Sequence, residues 1–148
     1  MPNAMRHIFT ILSILVLSFS QAQAITYAEM EELLDRLIFV ESSGRDHVVG
    51  DRGRAKGCLQ IHRSVVIDVN RYAKPKYRHN DAFNREKAKQ IARLYFSKYI
   101  TAYISETGRE PTMMELAFLW NGGPKAMYRP KMQHYRYWNK VLNAPLAG

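Results

Sequence analysis

The fold is decided by TYAEMEELLDRLIFVESSG, the stretch from Thr26 to Gly44. Thr26 and Glu29 have the spacing of a capping box, in which each side chain accepts a hydrogen bond from the other residue's backbone N–H. Apolar residues then recur at helical spacing, at Met30, Leu33, Leu34, Leu37 and Ile38. We therefore predict a helix from about Tyr27 to Glu41 or just beyond, with Gly44 as its stop.

Glu41 lies at the end of the apolar face of this helix, because helical steps back from it reach Leu37, Leu34 and Met30. A carboxyl group that ends a buried stripe is partly desolvated, which disfavours its charged form and raises its pKa. A raised pKa suits a general acid, which must hold its proton near neutral pH. The structural alternative is an exposed glutamate in a fraying last turn.

A polar segment follows, from Arg45 to Lys56, and predicts a loop or a short β-hairpin. Asp51 lies at its middle, in Gly50-Asp51-Arg52-Gly53, where glycines permit a turn that would leave the carboxylate exposed and ionised. Two carboxyl groups in contrasting environments predict glycoside hydrolysis. One protonates the leaving oxygen, and the other attacks the anomeric carbon, stabilises its charge or activates water. Asp46 is the competing second carboxylate, and a purely structural turn is the alternative for Asp51.

Caps and apolar periodicity predict four further helices. Their expected bounds are Ser64, as the cap, to about Tyr72; about Asn84 to Ser105; the Thr112 to Glu115 capping box through Trp120, halting at Asn121-Gly122-Gly123-Pro124; and Lys131 to Leu142. The fold class is therefore mainly α, an α+β domain with one small β-hairpin or turn-rich element. No feature of the pattern indicates a second domain.

The first 24 residues are typical of an export signal. Basic Arg6 precedes an apolar run from Ile8 to Phe19, and Ala22-Gln23-Ala24 then forms a cleavage site. The run is shorter than the roughly 20 residues that a membrane-spanning helix needs, although a membrane anchor is the alternative. We predict cleavage before Ile25, a single domain over residues 25–148, no membrane span after cleavage, and a periplasmic or secreted location.

The chain is basic, with a formal charge of +9 at pH 7. Arg6 is the one charged residue before Ile25, so the mature chain retains +8. Such a charge attracts polyanions without specifying which one, so nucleic acid, a membrane surface and bacterial wall polymer all qualify as partners. Export argues against nucleic acid.

Cys58 is the single cysteine, so the fold must hold together without an internal disulfide. Its apolar surroundings in Gly57-Cys58-Leu59-Gln60-Ile61 predict a buried structural thiol. A cysteine peptidase using Cys58 with His62 or His134 is a competing hypothesis, which requires an exposed thiol of low pKa. The spacing of the five histidines does not indicate a metal site, and no cofactor is implied.

Five motifs in order resemble the lysozyme and lytic transglycosylase superfamily, most closely the invertebrate-type lysozymes. They are Glu41-Ser42-Ser43-Gly44, Asp51, Gly57 to Ile61, Asn121 to Pro124 preceded by Trp120, and Tyr137-Trp138-Asn139-Lys140-Val141. Together they extend from residue 41 to residue 141. Invertebrate-type lysozymes are rich in disulfides, so a chain with one cysteine looks more like a bacterial relative.

The resemblance implies a lysozyme-like α+β fold, with Glu41 as general acid and Asp51 as second carboxylate. It also implies that Gln60 and Asn121 line a saccharide groove, with Ser43 and Tyr137 as further contacts. Amides suit N-acetyl and hydroxyl groups, and the faces of Trp120 or Trp138 could stack on sugar rings or pack in the core.

The expected substrate is the glycan strand of peptidoglycan, cleaved at the β-1,4 bond between N-acetylmuramic acid and N-acetylglucosamine. A lytic transglycosylase is the nearest alternative, because it needs one glutamate as acid and then base and forms 1,6-anhydro ends. A non-catalytic wall-binding protein of the same fold is the other. The residues do not identify an inhibitor protein or a secretion apparatus as a partner.

Overall fold

A computed structural model of the protein describes residues 24–146. The expected export signal lies outside these residues, apart from Ala24. Within them the chain is mainly helical with a small three-stranded antiparallel sheet, which confirms the predicted fold class. The elements are α1 (Tyr27–Ser42), β1 (Val49–Gly50), β2 (Ala55–Lys56), β3 (Ile61–His62), α2 (Arg63–Val69), α3 (Arg85–Thr107), α4 (Met113–Gly122), α5 (Pro124–Tyr128) and α6 (Met132–Leu142).

Helix α1 begins at the predicted capping box. Glu29 donates its backbone N–H to Thr26 Oγ1 at 3.2 Å, and Thr26 returns its own to Glu29 Oε2 at 2.8 Å. The apolar face is fully buried at Leu33, Leu34 and Leu37. The helix ends at Ser42, just beyond Glu41 as predicted, and Ser43 after it has a left-handed backbone, with φ of 54°. Gly44 follows with φ of 79° and continues the turn.

The predicted hairpin is present as β1 and β2, which pair Gly50 with Ala55. A third strand, β3, pairs antiparallel with β2 and was not predicted. Its two residues, Ile61 and His62, are too few to show an alternating pattern in the sequence. A 3-10 turn over Asp51–Gly53 joins β1 to β2.

The helices differ from the prediction in α2, in α3 and by the addition of α5. Helix α2 ends at Val69, three residues before the predicted end at about Tyr72. Helix α2 has His62 at its N-cap, so Ser64 lies inside the first turn and does not cap it. Helix α3 starts after Asn84, whose side chain accepts from Lys87, and ends two residues later than predicted. Helix α5 is an addition to the prediction, since Gly123-Pro124 ends α4 and also begins α5. Proline is favoured at the first position of a helix, because a backbone N–H there has no acceptor within the helix and proline has no N–H.

Helix α4 packs against both α5 and α6, while α1 packs against α4 and α6. The largest fully buried side chains are Phe96 and Phe118, and Cys58 is fully buried in the same core. None of the helices in residues 24–146 is long and apolar enough to cross a membrane. This packing brings the end of α1 close to the end of α4, where the candidate site lies.

Candidate active site

A cavity of about 280 Å³ opens where α1, the sheet, α2 and α4 meet. It contains four of the six predicted site residues, Glu41, Asp51, Gln60 and Asn121. The full lining is Glu41, Asp51, Ala55, Gln60, Ile61, His62, Val65, Trp120 and Asn121. Residues far apart in the chain thus form one concave surface that combines carboxyl, amide, imidazole and aromatic groups.

Glu41 is the more buried of the two carboxyl groups. Burial raises its pKa, and a hydrogen bond from Tyr137 opposes this effect without cancelling it. The Tyr137 hydroxyl lies 2.5 Å from Glu41 Oε1. Burial and the neighbouring carboxylate also hold the pKa of Tyr137 well above its usual range. Tyr137 therefore donates to Oε1, and Oε2 is the carboxyl oxygen that this hydroxyl does not occupy.

Asp51 lies in a contrasting environment, on the exposed 3-10 turn. Its side chain is 41% exposed, and its backbone has a left-handed φ of 46°. Arg54 Nη2 donates to Oδ1 at 2.7 Å, and His62 Nε2 lies 3.7 Å from Oδ2. The exposed glycine-flanked turn predicted for this residue is confirmed. The competing carboxylate, Asp46, does not line the cavity and instead pairs with Arg85 at 2.9 Å.

Gln60 lines the cavity, but its amide nitrogen is engaged by the protein. Nε2 donates to the Val48 carbonyl at 3.2 Å and to the Gly57 carbonyl at 2.9 Å. Its carbonyl end packs against Gly50, where a Cβ atom would lie 2.1 Å from Oε1. One N–H group thus bonds within the loop between β2 and β3, the other ties this loop to the residue before β1, and only Oε1 remains to accept from a ligand.

Asn121 is exposed on the last turn of α4, with its amide available to donate and to accept. Trp120 also lines the cavity, while its ring packs edge-on against Tyr95 and lies 5.5 Å from the ring of Phe96. Core packing and cavity lining, which the sequence left as alternatives, therefore coexist at Trp120. Trp138 does not line this cavity and contributes to a separate apolar depression beside Met113.

Two predicted contact residues do not line the cavity. Ser43 is exposed and forms the C-cap of α1, where its backbone N–H donates to Phe39. Tyr137 contacts Glu41, so its place is beside the carboxyl group and not along the cavity wall. His62 also lines the cavity, whereas the sequence suggested it only as a possible partner of Cys58. Its signal was weak, because it follows buried Ile61 in a strand of only two residues.

Cys58 does not have the properties that a catalytic thiol requires. It is fully buried, and burial together with the negative charge of Asp46 raises its pKa to about 11. The structure thus contradicts the cysteine-peptidase hypothesis and confirms the buried thiol. Residues 24–146 contain no group of three or more histidine, cysteine or carboxylate side chains placed to hold a metal ion.

Comparison with known proteins does not place this chain in a family. No family model matches it, and no curated protein does either. The lysozyme resemblance therefore stays a prediction from the five motifs.

Proposed function

We propose that this protein is a peptidoglycan-cleaving glycosidase that hydrolyses the β-1,4 bond between N-acetylmuramic acid and N-acetylglucosamine. The observation that carries the proposal is that Glu41 and Asp51 line the same cavity in contrasting environments. Glycosidases use a protonated and an ionised carboxyl group on opposite sides of the scissile bond.

Glu41 is the general acid in this mechanism. Burial favours its protonated form, and Tyr137 occupies Oε1, so the proton on Oε2 is the one that can be transferred. As the bond between the anomeric carbon and the bridging oxygen breaks, this proton passes to the departing oxygen. Glu41 then carries the negative charge, which the Tyr137 hydroxyl stabilises by its hydrogen bond.

Asp51 acts on the sugar that keeps the anomeric carbon. Its carboxylate stabilises the positive charge that develops there, attacks the carbon, or activates the water that replaces the leaving group. The ion pair with Arg54 restrains the carboxylate at the cavity rim. Asn121 and the face of Trp120 offer the amide and aromatic contacts that suit N-acetylated sugars.

The location and charge of the chain are part of the same proposal. Peptidoglycan lies outside the cytoplasmic membrane, which agrees with the export signal expected over residues 1–24. A positively charged enzyme is also attracted to an anionic wall, by an interaction that weakens as the salt concentration rises.

A lytic transglycosylase is the second candidate, and one observation favours it. Both carboxylate oxygens of Asp51 already face basic groups, Arg54 at 2.7 Å and His62 at 3.7 Å, which restrains Asp51 as a nucleophile. In the transglycosylase reaction Glu41 would act first as acid and then as base. The sugar's own C6 hydroxyl would close a 1,6-anhydro ring, without help from Asp51.

Mass spectrometry of the fragments released from peptidoglycan tests the proposal. We expect new reducing ends with the wild-type protein and a rate about 10²–10⁴-fold lower with Glu41→Gln, because general acid catalysis contributes a factor of this size. Asp51→Asn should also reduce the rate. Glu106→Gln, an exposed change at the end of α3, is the matched control and should leave the rate unchanged.

Each other outcome selects a different function. Fragments with 1,6-anhydro ends, unaffected by Asp51→Asn, would replace the hydrolase with the transglycosylase. Binding to the wall without any released fragment, unchanged in folded Glu41→Gln, would indicate a non-catalytic wall-binding protein.

A further inference from the structure

A second cavity of about 520 Å³ adjoins the candidate active site. We call it the basic groove, and its lining contains no aspartate or glutamate. Its volume falls in the range of roughly 300–1,000 Å³ that is typical of small-ligand sites. The groove is lined by Gly53, Arg54, Lys56, His62, Arg63, Ser64 and His79, so every charged or titratable side chain in it is basic.

The basic groove adjoins the cavity that contains Glu41. His62 lines both cavities. Arg54 lines the groove and donates to Asp51, which lines the neighbouring cavity. A ligand with one part at the two carboxyl groups would therefore place its neighbouring part in the groove.

Among residues 24–146, acidic side chains balance only part of the positive charge of the groove. Arg54 pairs with Asp51, but the ammonium group of Lys56 donates to the neutral amide of Asn80 at 2.7 Å. The same ammonium group lies 5.7 Å from the centre of the Phe83 ring, a contact that orients it without cancelling its charge. Arg63 is exposed at the start of α2.

These features indicate an anionic ligand with more than one acidic group. Guanidinium and ammonium groups bind carboxylates through charge-assisted hydrogen bonds. The glycan backbone offers little to such a groove, because N-acetylglucosamine is neutral. N-acetylmuramic acid, in contrast, carries a peptide on its lactyl group, and the peptide presents free carboxylates next to the bond that the enzyme would cut.

We propose that the basic groove binds the carboxylates of the peptide attached to N-acetylmuramic acid, so that the substrate is peptide-bearing glycan and not the bare strand. This inference rests on the proposed function, since it assigns the groove by its position beside Glu41 and Asp51. Arg63 and Lys56 are then specificity-determining residues, which contact the peptide and leave the cleaved bond to the neighbouring cavity.

The test compares glycan strands that keep their peptides with strands from which an amidase has removed them. We expect the wild-type protein to favour the peptide-bearing strands by about tenfold in kcat/KM, and Arg63→Glu to bring that ratio close to one through a higher KM. Arg136→Glu makes the same charge change on α6, outside both cavities, and should keep the ratio. Equal ratios in the wild-type protein, Arg63→Glu and Arg136→Glu would overturn the proposal.

A binding measurement separates failure of this inference from failure of the proposed function. Calorimetry with folded Glu41→Gln and N-acetylmuramyl-L-alanyl-D-glutamate does not depend on cleavage. Binding that Arg63→Glu weakens about tenfold supports the groove even if no strand is cut. Absence of binding, or tighter binding of a glycerol-phosphate oligomer, would overturn the peptide assignment, and the latter would indicate a wall phosphate polymer as the ligand.

Discussion

At the scale of single residues, two opposing effects set the pKa of Glu41. Burial at the end of α1 raises its pKa, and the hydrogen bond from Tyr137 lowers it by stabilising the carboxylate. The apolar stripe of α1 predicts the first effect. The second involves residues 96 positions apart and requires the folded chain.

Tyr137→Phe should shift the pH dependence of the proposed reaction. Removing the hydroxyl removes the contact that lowers the pKa of Glu41, so this pKa should rise further. A general acid works only while protonated, and activity falls as the pH rises through its pKa. The alkaline limb of kcat/KM should therefore move to higher pH, measured on solubilised glycan strands.

The control for this shift is Tyr135→Phe, which removes an exposed hydroxyl from the same helix. Its alkaline limb should coincide with that of the wild-type protein. An unchanged limb in Tyr137→Phe would show that the hydroxyl does not act on Glu41, and a uniform loss of rate at every pH would indicate a merely structural role.

At the scale of elements, the loop between β2 and β3 positions Gln60 through a close approach at Gly57. Gly57 has a left-handed φ of 77°, and a Cβ atom there would lie 1.8 Å from the backbone oxygen of Ala82. Gly53 has a similar φ of 90°, but nothing lies within 4 Å of its Cβ position. Substitutions at the two glycines can therefore distinguish the cost of backbone strain from the cost of a steric contact.

Gly57→Ala should destabilise the protein more than Gly53→Ala. The strained backbone costs both variants about 1–2 kcal/mol, and the contact with a backbone atom should cost Gly57→Ala about 1–3 kcal/mol more. The free energies of unfolding can be measured by urea denaturation. Equal decreases in the free energy of unfolding would mean that the backbone around Ala82 moves away from the added methyl group without destabilising the protein.

The sequence predicted the helices well where their signals are local. The capping boxes of α1 and α4 involve residues three apart, so Thr26 with Glu29 and Thr112 with Glu115 could be identified without the fold. Strand β3 and helix α5 were not predicted, each for its own reason. Two residues are too few to show a period, and a Gly-Pro pair both ends one helix and begins the next.

At the scale of the whole molecule, the candidate site is assembled by packing. Glu41 lies in the last turn of α1 and Asn121 in the last turn of α4, and contact between these helices brings the two side chains to one cavity. Neither helix carries the site alone. Changes that loosen the contact between α1 and α4 should therefore reduce activity without altering any lining residue.

The mature protein is predicted to begin at Ile25. Expression of the full chain in a bacterium should release a periplasmic or secreted product whose intact mass corresponds to residues 25–148, because signal peptidase recognises the small residues Ala22 and Ala24. Ala24→Arg should block this cleavage. A wild-type product outside the cytoplasm that retains residues 1–24 would contradict the prediction.

The sequence by itself determined the mainly helical fold class, the carboxyl group at the end of a buried face, the exposed turn around Asp51 and the buried thiol of Cys58. These features depend on caps, periodicity and turn residues, which act over a few positions of the chain. Only the tertiary structure decided that Tyr137 contacts Glu41, that the Gln60 amide donates to the carbonyls of Val48 and Gly57, and that His62 lines two cavities. Such contacts arise from the packing of distant elements, and no local pattern encodes which side chains then meet.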